Sequence, residues 1–389
     1  MYLKSAHIRH YKSLDNALIE FSNPITVLVG PNAVGKSNIV DCLRFVRDAV
    51  VVDLEHAVSS RGGIGRVRQY SKTKPFKVTV KLDLEQEFTD SPPRSALYEF
   101  TIESKTGSNY TVDSERAVYF EDHRGDRALK KEEFTRDKSG AVHVSNDDRP
   151  QKVPSDRLAL GQGQGLATPA AWAIYMFIRN WRYSALYPNL LREPTSPDKD
   201  KVLTEDGRNW ASVIKALRRT VRGKAALDRV YEAMKSVIPA FEDVAVSTVG
   251  SYLVPRFRFT LGAHETVEFD PVQLSDGTLR IFGILLALYQ VPPPKLLVIE
   301  EPEQTVHPGV LGVLADAFRE AAESTQIIVT THSPHFIDHF EPEQVRVVTL
   351  EDGLTKVSRV KNTQLEAVKR RLMSMQDFML AEGLLPETP

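Results

Sequence analysis

The chain has little of what defines several large classes of protein. Among 389 residues it has one cysteine, Cys42, which excludes an intrachain disulfide and favours a reducing compartment. The N-terminus lacks the apolar core of a signal peptide. The longest apolar stretch, residues 281–288, is shorter than the roughly 20 residues that a membrane-spanning helix needs. These absences predict a cytoplasmic protein that has no membrane partner.

An excess of charge of one sign is also lacking. The formal net charge is −1, so no global positive field draws the chain to nucleic acid, and DNA binding would need a local basic patch. Residues 179–183 and 215–222 are candidates, although such stretches are more often solvated helix faces. No heptad pattern is sustained over several repeats, which argues against a long coiled coil.

The first half of the chain combines a glycine loop with alternating strands. Residues 25–29 are apolar apart from Thr26 and precede the loop, after which apolar residues recur at helical spacing. A strand, a loop and a helix are therefore predicted. Residues 76–120 are predicted to form strands: residues 76–84 alternate apolar and polar side chains, and the segments 98–102 and 116–120 follow, which indicates an antiparallel sheet. The charged residues 121–157 predict an exposed hairpin or a mobile loop.

The second half is predicted to start with helices and end with strands. Gly223 separates two of the helices. Helices are predicted at 170–181, 210–222 and 225–237. The apolar runs 296–299 and 326–329 predict buried parallel strands. Together these segments predict an α/β fold with a mostly parallel core sheet, an antiparallel β subdomain and a helical insertion.

Residues 30–37 match the phosphate-binding pattern G-x-x-x-x-G-K-[ST] at every fixed position. Glycines are needed at 30 and 35 because backbone N–H groups must approach phosphate oxygens without a Cβ between them. Lys36 is expected to reach the β- and γ-phosphates of ATP, and Ser37 to bind Mg²⁺. The other loop residues predicted to bind the nucleotide are Asn32, Ala33, Val34, Gly35 and Asn38.

Two carboxylates follow the predicted strand 296–299. Glu300 is expected to hold Mg²⁺, and Glu301 to polarise the attacking water as a general base. Neighbouring carboxylates there cost solvation energy unless a cation is bound, although the pair by itself would suit a solvated acidic turn. Glu303 continues the acidic run and is predicted to be solvated. His332, after the next buried strand, is predicted to contact the γ-phosphate and fix the water.

A second anion site is predicted at residues 274–278. Ser275 and Gly277 precede an apolar helix, and a hydroxyl, a glycine N–H and a helix N-terminus together suit an anion. The alternative is an ordinary helix cap. Two anion sites with one set of catalytic acids fit a head-to-tail dimer. In that dimer this loop covers the ATP held by the glycine loop of the partner chain.

In this order, the motifs resemble those of ABC-type ATPases, and more narrowly the SMC, RecF and OLD-like branch of that superfamily. The matching segments cover an opening strand, a Walker A motif, a signature loop, a Walker B motif with its D-loop, and a switch histidine. They lie, in that order, at residues 8–13, 30–38, 274–278, 300–308 and 331–334. The resemblance implies an ABC-type ATPase head that uses ATP and Mg²⁺.

The resemblance also implies a division of the chain and further site residues. Lys12 would lie near the nucleotide, and His307 would lie at the dimer interface or have a structural role. The predicted segments are an N-terminal ATPase lobe with the Walker A motif and the antiparallel β subdomain (1–160), a helical insertion (161–245), a C-terminal ATPase lobe with the signature, Walker B, D-loop and switch histidine (246–345), and a C-terminal tail (346–389).

Two features depart from the family pattern. The Q-loop glutamine cannot be assigned from sequence, and its candidates are Gln69, Gln151, Gln162 and Gln164. OLD-type proteins continue into a nuclease, whereas here the only Asp-x-Asp, residues 198–200, is predicted to be a solvated charge cluster. The chain therefore resembles the ATPase subunits of two-gene bacterial defence systems, whose effector, a nuclease for example, is a separate protein.

Three functions are compatible with these motifs. The favoured one is an ATPase that dimerises on ATP and gates DNA or an effector protein in bacterial defence or DNA maintenance. A transporter ATPase subunit is the second, against which the N-terminal strand and the compressed segment 300–308 argue. A non-hydrolysing scaffold is the third, against which Glu301 argues because a mere binding site needs no general base.

Overall fold

The structure is a computed structural model that describes residues 1–69, 76–86, 94–105, 109–121, 130–145, 147–162, 168–199, 201–262 and 265–387. The strands are β1 (Tyr2–Tyr11), β2 (Leu14–Glu20), β3 (Ile25–Val29), β4 (Lys77–Gln86), β5 (Arg94–Ser104), β6 (Tyr110–Glu121), β7 (Lys130–Arg136), β8 (Ala141–Val144), β9 (Asp147–Lys152), β10 (Trp181–Ser184), β11 (Phe241–Val249), β12 (Tyr252–Leu261), β13 (Glu265–Phe269), β14 (Leu296–Glu300), β15 (Gln326–Thr331), β16 (Val345–Glu351) and β17 (Leu354–Arg359). The helices are α1 (Lys36–Val51), α2 (Leu54–Ser59), α3 (Ile64–Val67), α4 (Pro169–Arg179), α5 (Pro188–Arg192), α6 (Trp210–Leu217), α7 (Val221–Val237), α8 (Asp276–Leu288), α9 (Leu311–Ala321), α10 (Pro334–Ile337), α11 (Asn362–Lys369) and α12 (Met375–Ala381). Within the described ranges, none of these helices has both the length and the apolar character needed to cross a bilayer.

A mostly parallel sheet forms the centre of the molecule. In the described residues its order is β10-β14-β15-β3-β16-β17, in which β10 to β16 are parallel and β17 runs antiparallel to β16. Strands β3 and β15 are buried along their whole length, as expected of parallel strands covered on both faces. The predicted α/β fold with a mostly parallel core sheet is confirmed. Because parallel strands end at the same edge, the loops after β3, β14 and β15 lie together.

An antiparallel sheet packs against this core. Its order in the described residues is β2-β1-β4-β5-β6-β7-β8-β9, so it extends the sheet predicted from residues 76–120 at both ends. The hairpin, one of the two alternatives predicted for residues 121–157, is present in the described part of that segment, where β7, β8 and β9 pair antiparallel in succession and continue the sheet. The predicted exposure is only partly correct, because Phe134 and Val142 are buried in the same hydrophobic cluster as the rest of the sheet. Residues 122–129 and 146 lie outside the described residues.

Alternate side chains of the core strands enter two separate hydrophobic clusters. Leu28 of β3 packs with α1, α4 and the antiparallel sheet. Val27 and Val29 of the same strand pack with helices α6 to α9 and with the third sheet, β11-β12-β13. Because successive side chains of a strand point to opposite faces, helices α1 and α8 lie on opposite faces of the core sheet.

The core sheet draws strands from every predicted segment of the chain. The helix predicted over residues 170–181 ends at Arg179, and Trp181 begins β10, which pairs with β14. Strand β10 has only four residues, WRYS, and follows the helix after one residue, so its alternation is too short to be distinguished from the end of the helix. Strand β10 thus comes from the predicted helical insertion, and β16 and β17 come largely from the predicted C-terminal tail. The division into lobes itself stays a prediction.

The break predicted at Gly223 lies elsewhere. Helix α6 ends at Leu217, and α7 starts after Thr220, whose hydroxyl accepts a hydrogen bond from the Gly223 N–H at 3.0 Å. A Cβ at Gly223 would lie 2.1 Å from the carbonyl oxygen of Leu217. The glycine therefore allows a close approach inside the first turn of α7, and the threonine cap rather than the glycine sets the boundary.

Candidate functional site

The glycine loop joins β3 to α1 at the carboxyl edge of the core sheet. Gly35 has a φ of 106° and Ala33 a φ of 66°, so the loop folds tightly before α1 begins at Lys36. In the described part of the chain, the backbone N–H groups from Val34 to Ser37 donate to no protein acceptor. They form the open N-terminus of a 16-residue helix, which suits the phosphate groups of a nucleotide.

Lys36 lies across this loop with its side chain enclosed. The residue is 5% exposed, and Nζ donates to the carbonyl oxygens of Gly30 at 2.6 Å and Pro31 at 2.9 Å. Burial lowers the pKa of Lys36, while the carboxylates of Glu301 and Glu303 oppose this shift. The glycine loop and the acids after β14 therefore share one electrostatic environment.

Two residues that the sequence did not indicate hold the loop in place. The hydroxyl of Ser13, between β1 and β2, accepts a hydrogen bond from Nδ2 of Asn38 at 2.6 Å and lies 2.6 Å from the hydroxyl oxygen of Thr355. Thr355 on β17 donates to the carbonyl oxygen of Val34 at 2.8 Å. A Cβ at Gly35 would lie 1.9 Å from the same hydroxyl oxygen of Thr355. Packing against β17 thus requires a glycine at position 35, in addition to any requirement from phosphate.

Lys12 borders a cleft beside the loop. Its Nζ lies 2.5 Å from Oδ2 of Asp41, a carboxylate that also pairs with Arg61 at 2.9 Å. The cleft has a volume of about 720 Å³. Its lining is rich in cations, namely Lys12, Arg61, Arg66 and Arg68. Positive charge beside the glycine loop suits a nucleotide anion, and the contact of Lys12 with the nucleotide stays a prediction.

The two predicted acids at the end of β14 have different neighbours. Glu300 is the last residue of the strand, and its Oε1 lies 3.6 Å from the guanidinium of Arg44, which also lies 2.5 Å from Oε1 of Glu205. Glu301 has a φ of 46°, and its N–H donates to the carbonyl oxygen of Thr330 on β15 at 2.9 Å. This left-handed turn is uncommon for a residue other than glycine, and it separates the two consecutive carboxylates.

His332 joins the acids from the end of β15. Its Nδ1 lies 3.5 Å from Oε1 of Glu301 and 3.7 Å from Oε1 of Glu303. The prediction that Glu303 is solvated is wrong, since the residue is 9% exposed. Its carboxylate accepts hydrogen bonds from the Thr331 hydroxyl at 2.6 Å and from the His332 N–H at 3.1 Å. Glu303 therefore fixes the backbone that carries His332, a role hidden in the sequence because glutamate is usually exposed.

The second predicted anion loop begins α8 on the other face of the core sheet. Ser275 is exposed and caps the helix, with Oγ accepting the Thr278 N–H at 3.1 Å and lying 2.8 Å from the Thr278 hydroxyl oxygen. A Cβ at Gly277 would lie 2.5 Å from the carbonyl oxygen of Thr305. Ser275 and Gly277 thus share one helix start, apart from the glycine loop of their own chain. The helix cap foreseen as the alternative is present.

Arg280 connects α8 to the turn that carries the acids. It is 8% exposed, and Nη2 donates to the carbonyl oxygens of Glu301 at 2.9 Å and Glu300 at 3.3 Å. Its Nη1 donates to the carbonyl oxygen of Leu186 at 2.8 Å. Burial lowers the pKa of this guanidinium, and the carboxylates of Glu303 and Glu301 oppose the shift. The sequence did not indicate this role, because a cation beside an apolar run is usually solvated.

The Q-loop glutamine remains unassigned. The segment after β10 leaves the core sheet beside Glu300, because Ser184 at the end of β10 pairs with Ile299 of β14. That segment brings Glu205 rather than a glutamine to Arg44. The candidates lie elsewhere: Gln69 is buried with its N–H bound to the His10 carbonyl oxygen, Gln151 is on β9, Gln162 ends a 3₁₀ helix, and Gln164 is outside the described residues.

Two smaller predictions stay open. His307 is exposed, and its Nδ1 accepts the Gly309 N–H at 3.0 Å, which is a structural contact and leaves the interface role untested. Of the Asp-x-Asp segment predicted to be a solvated cluster, Asp200 lies outside the described residues.

The residues present fit Mg²⁺ and ATP. The loop offers open N–H donors and an ammonium group, while Ser37 in the first turn of α1 and Glu300 at the end of β14 offer oxygen ligands. Mg²⁺ is commonly held by one or two protein oxygens together with phosphate oxygens. Among the described residues, no three His, Cys, Asp or Glu side chains gather as a metal site, so Mg²⁺ would depend on the nucleotide for its other ligands.

The fold is that of SMC head domains. An SMC head bound to the C-winged helix domain of ScpA aligns with 94% of this chain and 99% of its own, with a TM-score of 0.55 at 15% identity. An SMC head with an extended coiled coil, bound to the C-terminal domain of ScpA from Pyrococcus furiosus, aligns with 95% of this chain and 99% of its own, with a TM-score of 0.53 at 13% identity. With the motifs at the carboxyl edge, this architecture defines an ATPase of the SMC/RecF-like ABC class.

Sequence comparison adds the family. The DNA replication and repair protein RecF of Thermosynechococcus vestitus is 41% identical over 46 residues, 12% of each chain. The chromosome partition protein Smc of Halothermothrix orenii is 49% identical over 47 residues, 12% of this chain and 4% of that protein. The match therefore spans only a small part of the curated relatives. A family described as "AAA domain, putative AbiEii toxin, Type IV TA system" matches residues 25–338, and the chain belongs to this family.

Proposed function

We propose that the chain is a Mg²⁺-dependent ATP hydrolase that dimerises on ATP and thereby gates DNA or a separate effector protein, in bacterial defence or DNA maintenance. The observation that carries the proposal is that Nδ1 of His332 lies 3.5 Å from the carboxylate of Glu301. The same carboxylate acts electrostatically on the buried Lys36. A candidate base, its orienting group and a phosphate-binding cation thus lie at one edge of the core sheet. A site for binding alone would not need the first two.

Each side chain has a distinct role in the proposed hydrolysis. Lys36 exchanges the carbonyl oxygens of Gly30 and Pro31 for phosphate oxygens, and because its ammonium is already buried, most of its desolvation cost is met before the nucleotide binds. Glu301 takes a proton from the attacking water, and His332 holds that water against the γ-phosphate. Bound Mg²⁺ would neutralise charge on the β- and γ-phosphates.

The dimer is supported by the two faces of the core sheet. Helix α1 packs on one face and α8 on the other, so the exposed Ser275 and the glycine loop of the same chain lie at the starts of helices on opposite faces of the sheet. A second copy in head-to-tail orientation would bring its own Ser275 and Gly277 to the bound ATP. Each active site would then contain residues of both chains.

Two names among the comparisons support a partner. The family description refers to a toxin of a type IV toxin–antitoxin system, which is an arrangement of separate proteins. The two SMC heads with this fold were solved with domains of ScpA bound to them. On this basis we expect nucleotide-dependent dimerisation to be read by another molecule, either an effector protein or DNA.

The substitution Glu301→Gln tests the proposal. It keeps the size of the side chain and removes the base, so we expect turnover to fall at least about 100-fold while ATP still binds and an ATP-bound dimer accumulates. Phosphate release and light scattering after gel filtration measure the two effects. Glu323→Gln, on an exposed acid after α9, is the matched control and should hydrolyse ATP like the wild type. A Glu301→Gln protein with an unchanged rate of hydrolysis would remove the general base and with it the proposed reaction.

A further inference from the structure

A stripe of aromatic and basic side chains runs along one face of α4 and onto β10. Trp172 and Tyr175 stack with ring centroids 5.6 Å apart and an interplanar angle of 27°. Arg179 lies on the same helix face, because residues four and seven positions apart are neighbours on a helix. Arg182 follows on β10 and donates through Nη1 to the carbonyl oxygen of Arg179 at 2.9 Å. We call Trp172, Tyr175, Arg179 and Arg182, together with Arg47 of α1, the α4 stripe.

The aromatic end of the α4 stripe is open to solvent. Trp172 is 53% exposed, whereas Trp181 and Trp210 are 0% and 1% exposed in the core. An exposed indole that is held against a neighbouring ring forms a flat apolar platform. Such platforms bind the bases of single-stranded nucleic acids, since every base has a face that can stack.

The basic end of the stripe is short of negative charge. Among the described residues, Arg179 and Arg182 make no ion pair with a carboxylate, and Arg47 shares Asp48 with Arg61. Burial lowers the pKa of Arg182, and the positive charges of Arg47 and Arg179 lower it further. These guanidinium groups repel one another, and an anionic ligand would relieve that repulsion.

Buried hydrogen-bond donors beside the stripe also lack acceptors. In the described part of the chain, Nε of Arg47, the indole N–H of Trp181 and the hydroxyl of Tyr183 have no partner. Trp181 is 0% exposed and Tyr183 is 6% exposed, so neither group is simply solvated. Buried polar groups without a partner are rare in proteins. Because these three atoms are enclosed, a ligand on the surface would not reach them, and the groups of the α4 stripe that it would meet are the exposed ring of Trp172 and the exposed Arg179.

We propose that the α4 stripe binds single-stranded nucleic acid, with bases stacked on Trp172 and Tyr175 and phosphates held by the arginines. A duplex fits less well, because its bases are stacked on each other and are not available to the rings. An acidic protein surface would pair with the arginines but would leave the exposed ring of Trp172, held against Tyr175, unexplained. The proposal goes beyond the hydrolysis proposed above and does not depend on it, since the α4 stripe contains none of the residues assigned to that reaction.

The test is fluorescence anisotropy of labelled oligothymidylate and oligouridylate, titrated with the full chain at several salt concentrations; the two probes distinguish DNA from RNA. Trp172→Ala should weaken binding at least about fivefold through lost stacking. Arg179→Ala should reduce the slope of log K against log salt by about 0.7, the value for one cation on a single strand. Tyr252→Ala, at a ring that is also 53% exposed, and Arg370→Ala are the matched controls and should bind like the wild type. Because Trp172 and Arg179 are exposed, the thermal unfolding midpoints should be unchanged.

Three results would overturn the proposal. One is no binding of either oligonucleotide at low salt, and another is binding that Trp172→Ala and Arg179→Ala leave unchanged. The third is binding of polyglutamate, sensitive to Arg179→Ala, without binding of either oligonucleotide, which would identify an acidic protein as the occupant. Glu301→Gln separates this proposal from the enzymatic one, because it should lose hydrolysis and still bind the oligonucleotide like the wild type.

Discussion

The two helix starts that are proposed to meet on one nucleotide differ in how their hydrogen-bond donors are used. Helix α1 begins with N–H groups from Val34 to Ser37 that have no protein acceptor, beside the enclosed Lys36. Helix α8 begins with the Thr278 N–H already bound to the hydroxyl of Ser275. The first start therefore offers open N–H groups and an ammonium, whereas at the second the serine cap already takes one donor and, in the described part of the chain, only the N–H groups of Asp276 and Gly277 stay without an acceptor. Affinity for ATP should depend on the first and assembly on the second.

Of the substitutions that test this difference between the two helix starts, Lys36→Met is expected to have the largest effect. It keeps an unbranched side chain and removes the ammonium. We expect ATP to bind roughly 100-fold more weakly, because two charge-assisted hydrogen bonds of about 1.5 kcal/mol each are lost. Isothermal titration calorimetry measures the affinity. Lys356→Met, at an exposed lysine of β17, is the control. Equal affinity in the two variants would mean that Lys36 does not contact the nucleotide.

The next largest effect is expected from Ser275→Arg, which places a bulky cation at the exposed start of α8. We expect the ATP-dependent dimer to be lost and hydrolysis to fall roughly tenfold or more, as for the loss of an interface contact worth at least about 1.4 kcal/mol. Affinity for ATP should change little, which separates the two helix starts. Sedimentation velocity with and without ATP measures assembly, and Ser236→Arg on exposed α7 is the control. A monomer that hydrolyses ATP at the wild-type rate would rule out the shared site.

A moderate effect on stability is expected from Gly277→Ala. The added Cβ would lie 2.5 Å from the carbonyl oxygen of Thr305, so the chain must shift at a cost of roughly 1–3 kcal/mol. Denaturant unfolding measures the loss. Gly65→Ala is the matched control, because nothing lies within 4 Å of its Cβ and it sits inside a helix. If Gly277→Ala is as stable as Gly65→Ala yet fails to dimerise, the glycine serves the interface rather than internal packing.

The smallest effect is expected from Thr355→Val, which changes a contact with the glycine loop before α1. The substitution removes the hydroxyl that donates to the Val34 carbonyl oxygen, a hydrogen bond worth about 1 kcal/mol. Since this bond holds the loop rather than the ligand, we expect slightly weaker ATP binding together with a small loss of unfolding free energy. Thr349→Val on β16 is the control. A larger loss of affinity than that of Lys36→Met would reverse the roles assigned to the two residues.

The sequence was sufficient for those features that a continuous segment determines. The apolar run 25–29, the glycine loop and the helical spacing after it lie next to one another, and the structure has β3 and α1 there. Strand β10 was missed because it has only four residues and begins one residue after a helix, so its alternation is too short to recognise. For residues 121–157 a hairpin was one of two alternatives, and the many charges hid that its strands continue the antiparallel sheet.

The site residues that were missed have partners far away in the chain. Thr355 bonds to Val34, Arg280 to Leu186 and Glu303 to Thr331. No local pattern records which distant segments become neighbours, and charged residues are ordinarily exposed, so Glu303 was predicted to be solvated and Arg280 was given no role. The motifs could therefore predict which groups carry out the chemistry, whereas the residues that hold those groups in position required the structure.

The buried guanidinium of Arg280 links α8 to the turn that carries Glu300 and Glu301, so the two should move together. It binds the carbonyl oxygens of Glu300 and Glu301, and displacing α8 alone would break hydrogen bonds to a charged group that are each worth about 1.5–3 kcal/mol. A force applied at the start of α8 is therefore transmitted to the backbone of Glu301. In a symmetric dimer, hydrolysis of one ATP would change the rate of hydrolysis of the other, and the two sites would be cooperative.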